Sequence, residues 1–410
     1  MTEATLDKLR NDIDQIDTQL TDLFRARMEK SLEVAKYKQE HNVAVLSDRR
    51  EKEILHKVSE QIGEPYDGYA RLLFNTIFDA SRSCQNNYLA RRSDLAERID
   101  KALSETPTLF PKKAVVACQG VAGSNSQAAC EKLFEVPSIM FFNSFEGVFN
   151  AVEKGLCQYG ILPIENSSYG SVGTVYDLMQ NYNFHIAKSL RLRINHNLMA
   201  KPGTKLSDVR EIFSHEQAIG QCGEFLKGLK DVKITVCENT ALAAKMVADS
   251  DRTDVAAISS MECLDLYGLE LLKKHIQTSD NNYTRFICIS KKLEIYPGSN
   301  KISLILSLPH SPRSLYHAIA KFAALGVNLT KLESRPIPGS DFEFMFYFDL
   351  EASVYSPELI NLLSELENQP ETFVFLGCYT ETILTLSSSD FAPVKSLLYK
   401  YDVPFHGHIL

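Results

Sequence analysis

Apolar positions along the chain follow three different periods. From residue 5 to about 103, Leu6, Leu9, Ile13, Ile16, Leu20, Leu23 and their successors recur at helical spacing, which lays one stripe along a 3.6-residue helix. Nothing breaks the pattern before about His41, so the first helix should be on the order of 50 Å long. Further helices are expected at Asp48–Ile62, at Asp67–Leu89 and over 94–103, and Pro107 and Pro111 mark 104–113 as a connector. From Ala114, short apolar segments alternate with helical ones, through 114–118, 126–133, 144–154, 159–163 and 172–180. The alternation resumes through 209–213, 217–226, 233–236, 240–247, 255–258 and 285–290. This predicts an α/β layer with a largely parallel sheet and room for two small lobes. From Lys301 the order is strand 301–308, helix 312–325, strands 327–335 and 342–350, helix 356–367 and strand 372–379. That βαββαβ order is the ferredoxin-like split unit, an α+β fold.

The expected organisation is therefore multidomain: an all-α helical domain over 1–95, a linker over 96–112, a two-lobed α/β domain over 113–292 and a ferredoxin-like domain over 300–380. A tail, 381–410, has a short helix expected at 392–399 and no assigned role.

Composition narrows the function classes. The net charge is −8 without a block of like charge, so a nucleic-acid partner finds no basic face. No apolar run approaches the roughly 20 residues of a bilayer span, so no membrane role is expected, and the polar first ten residues do not read as a secretory signal. Nine cysteines are scattered and never paired as CxxC. They read as free thiols of a cytoplasmic protein, with neither a disulfide framework nor a zinc site.

Two cations stand out in the helical stretch. Arg27 and Lys38 are eleven residues apart, about three turns, so they face the same way roughly 16 Å apart. Arg27 also continues the apolar stripe, where a cation either snorkels to solvent or binds an anion. Arg50 and Glu51 open the second helix, and Ser81 and Gln85 sit one turn apart on the third. Together they would clamp a small polar dianion. Arg10, seventeen residues before Arg27, lies about 25 Å along the axis and a quarter turn off. It reaches the same small ligand only from a partner subunit.

On these residues 5–90 resembles the all-helical chorismate mutases, whose subunits exchange long helices in a dimer. The resemblance implies that Arg10 of the partner subunit and Arg27 hold two carboxylates, with Arg50 near the ring and Ser81 in the pocket. It implies that Glu51 takes the substrate hydroxyl and that Lys38 and Gln85 donate to the ether oxygen. Ser47 stands where the family often has aspartate. A Claisen rearrangement needs no cofactor; fixed donors aimed at the breaking ether bond favour its transition state.

The α/β stretch carries four polar clusters: 120–126 (Gly120 to Ser126), 163–171 (with Glu165, Asn166, Ser167 and Gly170), 214–217 with Gln221, and 282–286 (with Thr284 and Arg285). Three of them fall at strand ends or helix starts, where α/β sheets bind ligands. Each alone also reads as a turn or a helix cap. Their wording and order, with Tyr267-Gly268-Leu269, resemble prephenate dehydratases throughout 114–291. The resemblance implies Thr284 as the catalytic hydroxyl, with Asn166, Ser214 and Gln221 beside it. Glu165, Ser167 and Arg285 are expected at the substrate, Arg285 either orienting a carboxylate or pairing with Glu165. Val121 and Asn125 depart from the family's first loop.

Residues 301–379 resemble an ACT domain of the phenylalanine-regulated type, on the segment from Leu329 to Pro336. That implies L-phenylalanine held by Leu315, Asn328, Leu329, Thr330, Glu333, Ser334 and Arg335. Arg313 stands where such domains usually carry glycine. The expectation is a cytoplasmic homodimer or homotetramer without metal or cofactor, converting chorismate to prephenate and prephenate to phenylpyruvate under L-phenylalanine control. The competing readings are a non-catalytic amino-acid-responsive binder and an enzyme that keeps one activity.

Overall fold

The N-terminal stripe forms α1 (Glu3–His41), a helix of 39 residues. It is followed by α2 (Asp48–Ile62) and α3 (Asp67–Leu89), and α3 packs against both. The structure is a computed structural model and describes residues 3–41, 48–89, 93–337, 344–368 and 372–384. Ser47 and the helix expected at 392–399 lie outside these residues. Along the first half of α1 the stripe has no cover: Leu6, Leu9, Ile13, Ile16, Leu20 and Leu23 are 43–69% exposed.

The helix expected over 94–103 is present as α4 (Asp94–Glu105), and it occupies the first part of the stretch 96–112 that was expected as a linker. Ser93 caps the helix, accepting from Ala96 N at 3.1 Å. Its stripe Leu95, Ile99 and Ala102 is buried in one core with Ile302, Leu304, Phe322, Phe348 and Leu363 of the ferredoxin-like domain. Ser93 also donates to Ser364 Oγ at 2.6 Å, and Leu95 N donates to Glu367 at 2.9 Å. An amphipathic helix must bury its apolar face, and the surface it finds lies some 200 residues further along the chain.

The α/β region has two sheets. The first runs in the order 381–384, 185–193, 283–290, 159–166, 113–119, 136–142, with Gly170–Ser171 paired to 159–166. The second runs 270–273, 197–200, 255–259, 211–215, 233–237. Both are mixed rather than largely parallel. In the first, Tyr283–Ser290 is antiparallel to both neighbours; in the second, Asn197–Ala200 is antiparallel to both of its own. The cause is the chain path, which leaves the first sheet after Arg193, builds the second, and re-enters the first at Tyr283 from the opposite direction. The two crossings set the lobes side by side and deliver the segment around Thr284 to their junction.

The third sheet is antiparallel in the order 328–336, 344–351, 301–307, 373–379, with helices Ser314–Ala324 and Pro357–Glu367. Its other face packs on the first lobe, where Ile305, Tyr347, Leu376 and Tyr379 share a core with Ile164, Val175 and Tyr176. The tail is also corrected in part. Its first residues, Glu381–Leu384, form an edge strand of the first α/β sheet, parallel to His185–Arg193.

Candidate active sites

In the helical domain, Arg27 projects from α1 to α3. Its guanidinium donates to Ser81 Oγ and lies 5.6 Å from the Phe78 ring centroid. Ser81 and Gln85, one turn apart, are both buried, and Gln85 Oε1 has no hydrogen-bond partner among the described residues. Burial holds Arg27 and Lys38 below their ordinary pKa values, and in both cases the Glu51 carboxylate opposes that shift. Glu51 thus faces both cations across α1 and α2. Arg27, Lys38, Glu51, Ser81 and Gln85 are brought together. Arg50 is not: it is largely exposed and pairs along its own helix with Glu53 at 3.3 Å. Arg10 is not either; it sits on the uncovered stretch of α1, 3.4 Å from Asp7. Sequence reasoning missed Arg82, whose guanidinium holds the Glu51 carboxylate.

The second cluster lies between the α/β lobes. Asn166 ends a strand, and its Oδ1 accepts from Ser168 N at 2.9 Å and Tyr169 N at 3.0 Å. With that oxygen committed to the turn, Nδ2 must face outward. It donates to Thr284 Oγ1 at 3.0 Å and to Asn282 Oδ1 at 3.0 Å. Thr284 sits directly across the ladder from Asn166. Its oxygen accepts from Asn166, so its own proton is free to point elsewhere. From the other lobe, Gln221 forms a reciprocal amide pair with Asn282, at 2.8 and 3.2 Å. Gln221 Oε1 also meets His196 Nε2 at 2.5 Å. Burial lowers the His196 pKa against the opposing hydrogen bond to Gln221, and because an amide oxygen only accepts, Nε2 is the donor in that bond.

His196, 4% exposed, was missed by sequence reasoning, and Asn282, 1% exposed, stood in the 282–286 cluster without a role of its own. Asn282 carried a signal, as the residue two before Thr284 where a lobe crossing ends. His196, in the other crossing, carried none.

Other expected residues are placed differently. Ser214 is fully buried and donates to Ile258 O at 2.9 Å, outside this network. The helix that starts at Glu216 is capped by His215. Ser167 ties the two loops together, donating to Asn281 O at 2.8 Å and accepting from Tyr283 N at 2.9 Å. Arg285 follows Thr284 on the strand and so faces the opposite side of the sheet. Its guanidinium bonds to Asp349, to Tyr379 Oη at 2.8 Å and to Glu381 at 2.8 Å, with Glu165 at 4.0 Å. It points into the ferredoxin-like domain, away from Thr284, so neither expected role describes its main partners. Glu165 turns the same way, 3.0 Å from Lys331.

In the 120–126 loop, Gly120 and Gly123 have positive φ, and a side chain at 123 would meet Cys263 Sγ at 2.7 Å. Tyr267 fixes that loop by donating to Ala122 O at 2.7 Å.

At the third domain a cavity of about 370 Å³ is lined by Leu308, Pro309, His310, Leu315, Phe344 and Phe346, among others. Arg313 precedes its helix in the left-handed region, at φ 75. Of the expected effector residues, only Leu315 lines this cavity. Ser334 is exposed on the neighbouring strand, in register with Phe346. The others turn elsewhere. Asn328 bonds Glu351 at 2.7 Å, and Leu329 packs on the core. Thr330 bonds Asp349 O at 3.3 Å, Glu333 accepts from Ser171 at 2.6 Å, and Arg335 grips Asp177 at 2.8 and 2.9 Å.

Comparison with known proteins covers both regions that hold these clusters. Residues 9–86 match the family model for chorismate mutase type II, and residues 116–294 match that for prephenate dehydratase. The bifunctional chorismate mutase/prephenate dehydratase of Escherichia coli (strain K12) is 31% identical over 388 residues, 92% of this chain and 96% of that protein. The chain belongs to the bifunctional chorismate mutase/prephenate dehydratase family. Its members convert chorismate to prephenate and prephenate to phenylpyruvate in phenylalanine biosynthesis, and this chain carries both enzyme domains. Arogenate dehydratase/prephenate dehydratase 2, chloroplastic, of Arabidopsis thaliana is 37% identical over 276 residues, 64% of this chain and 72% of that one. The prephenate dehydratase of Arthrobacter aurescens, solved with L-Phe, superposes with a TM-score of 0.60 at 25% identity, covering 70% of this chain and 99% of that one.

Proposed function

We propose that the mutase reaction runs at Arg27, Lys38, Glu51, Ser81 and Gln85, completed by Arg10 of the partner subunit in a homodimer or a homotetramer built from such dimers. The observation that carries this reading is the uncovered stripe of α1, 43–69% exposed, with Arg10 on the same stretch of helix. An apolar face of that length needs a partner surface, and a second copy supplies one together with the missing cation. Arg27 and Arg10 of the partner subunit hold the two carboxylates of chorismate, with Arg50 swinging in over the ring. Lys38 and Gln85 donate to the ether oxygen as its bond breaks. The buried amide end of Gln85 and the desolvated Lys38 ammonium suit that task, because donors in a dry site need no reorganisation. Glu51 accepts the ring hydroxyl.

The dehydratase step runs at Thr284. Its proton, released from any bond to Asn166, is donated toward the ring hydroxyl that leaves as carbon dioxide departs and the ring becomes aromatic. Asn166, Gln221, Asn282 and His196 fix the Thr284 oxygen. Ser214 shapes the second lobe behind them. L-phenylalanine is the effector, its ring in the cavity beside Leu315 and its charged ends near Arg313 and Ser334. The nine free cysteines fit a reducing cytoplasm, and no helix among the described residues is long and apolar enough to cross a membrane.

The shared mutase site is tested by mixing Arg10→Ala chains with Arg27→Ala chains. Each alone is inactive as a mutase. After random exchange half the dimers are mixed, each with one intact site of two, so roughly a quarter of wild-type mutase activity returns. No recovery after demonstrated exchange would remove Arg10 from the partner's site.

A further inference from the structure

We infer that Arg82 is a positioning residue of the mutase reaction, anchored by Asp79 of the same helix, which His317 of the ferredoxin-like domain holds in turn from outside the mutase domain. The inference rests on the reading of Glu51 as the group that accepts the substrate hydroxyl.

Asp79 and Arg82 are three residues apart on α3, so their side chains meet on one face. Arg82 Nη1 donates to Glu51 Oε1 on α2, and Nη2 donates to Asp79 Oδ1. The other oxygen of Asp79 meets His317 Nδ1, on the helix Ser314–Ala324. Four groups thus form one continuous line from α2 through α3 into the third domain. None of them is a loose surface pair: side-chain exposures are 27% for Arg82, 27% for Glu51, 18% for Asp79 and 28% for His317. Burial alone would lower the Arg82 pKa, but the bonds and charges of Glu51 and Asp79 outweigh it.

This arrangement does two things for Glu51. Its side chain has three rotatable bonds and stands on the first turn of α2, so it would sample several rotamers unaided. A guanidinium fixed at its far end by Asp79 removes that freedom. The bond also takes only Oε1, which leaves Oε2 to accept a substrate hydroxyl. Asp79 is in turn held by His317, so the orientation of a mutase carboxylate depends on a helix of another domain. That helix starts beside the 370 Å³ cavity, which Ser314 and Leu315 line. His317 is less than one turn further on.

The bland alternative is an ion cluster that only staples α2 to α3. The two differ in kinetics. A hydroxyl acceptor that grips substrate and transition state equally acts on KM, whereas a staple acts on the amount of folded mutase and so on apparent kcat. The test uses the full chain and steady-state chorismate consumption. Arg82→Ala should raise KM about tenfold with kcat within about twofold, because a directly contacting pair couples on that scale. Arg82→Lys keeps a charge near Glu51 but cannot fork to Asp79, so its KM should fall between. His317→Ala should raise KM about twofold alone and add nothing in the Arg82→Ala background. Prephenate dehydratase activity should stay at wild-type level in all three, which reports a folded chain even where the mutase is weak. Glu51→Ala separates the failures. If it leaves KM unchanged, the Glu51 reading falls. If it raises KM while Arg82→Ala does not, only the positioning role falls. A lower kcat at unchanged KM for Arg82→Ala and Arg82→Lys, or an additive effect of His317→Ala, would also overturn the inference.

Discussion

Thr284→Val offers the most direct test of the dehydratase site. The substitution keeps the side-chain shape and removes one hydroxyl. Its structural cost is small, because the group that loses a partner does not become orphaned: Asn166 Nδ2 still has Asn282 Oδ1 at 3.0 Å. The fold should therefore lose less than about 1 kcal/mol, since no buried polar group is stranded. The catalytic cost is larger. Removing one preorganised donor aimed at developing charge costs about 3–4 kcal/mol, or roughly 100- to 1000-fold in kcat. Thr284→Ser keeps the hydroxyl but loses the β-branch that limits χ1, so it should fall between, about tenfold down. The assay follows phenylpyruvate formed from prephenate, with chorismate consumption on the same preparation as the internal control. The mutase rate should not change. A Thr284→Val enzyme within tenfold of wild type, at unchanged KM, would refute the role of the hydroxyl and leave the Asn166–Asn282–Gln221 network without its catalytic end.

Three further outcomes are expected. Lys38→Ala should lower mutase kcat by roughly 100- to 1000-fold, the loss of one donor to the ether oxygen, while prephenate turnover stays intact; near-normal chorismate turnover would remove Lys38 from the site. His185 is held at about 4 against an ordinary 6.5, by burial first and by the nearby Arg98 charge second. The unfolded chain then takes up the proton first, so stability is lost as pH falls from about 6.5 toward 4, by at most ~3 kcal/mol at 1.36 kcal/mol per unit; the wild-type denaturant midpoint should fall relative to that of His185→Gln as pH drops through that window, and parallel profiles would contradict it. Arg313→Gly relieves a left-handed conformation that costs a side chain about 1–2 kcal/mol, between Pro312 and Ser314, which line the 370 Å³ cavity, so on the reading that L-phenylalanine binds there it should inhibit the dehydratase at lower concentration; coincident curves would mean that Arg313 does not tune the site.

The helical and ferredoxin-like elements were legible because their apolar periods are long and regular. The expected α2 and α3 coincide with the observed ones, and the βαββαβ order stands. The α/β strands were harder. Val136–Phe142 is an edge strand with most of its apolar side chains part-exposed, which blurs its period, and His185–Arg193 carries Lys188, Arg191 and Arg193 among its apolar residues. Sheet direction was not legible at all, because it is set by where the chain re-enters a sheet. The sites divide along the same line. Local groupings such as Ser81 with Gln85, or Asn166 with its turn, could be read from spacing. Arg285 beside Thr284 misled, because neighbours on a strand serve opposite faces. His196 acts through Gln221, 25 residues away in sequence, and no local pattern names it; Arg82 meets Asp79 one turn away, but the Glu51 carboxylate that it holds is 31 residues distant.

The burial of α4 in the third domain fixes an order of events during synthesis. Leu95, Ile99 and Ala102 leave the ribosome some 200 residues before the strand and helix residues that cover them. At ordinary elongation rates that interval is roughly 10–40 seconds. Through all of it the helix that follows the mutase carries a bare apolar face, while the mutase helices before it and the dehydratase lobes after it can already form. The C-terminal domain is therefore the clasp that closes last. A nascent chain that stops before Leu363 and Leu366 keeps that face open.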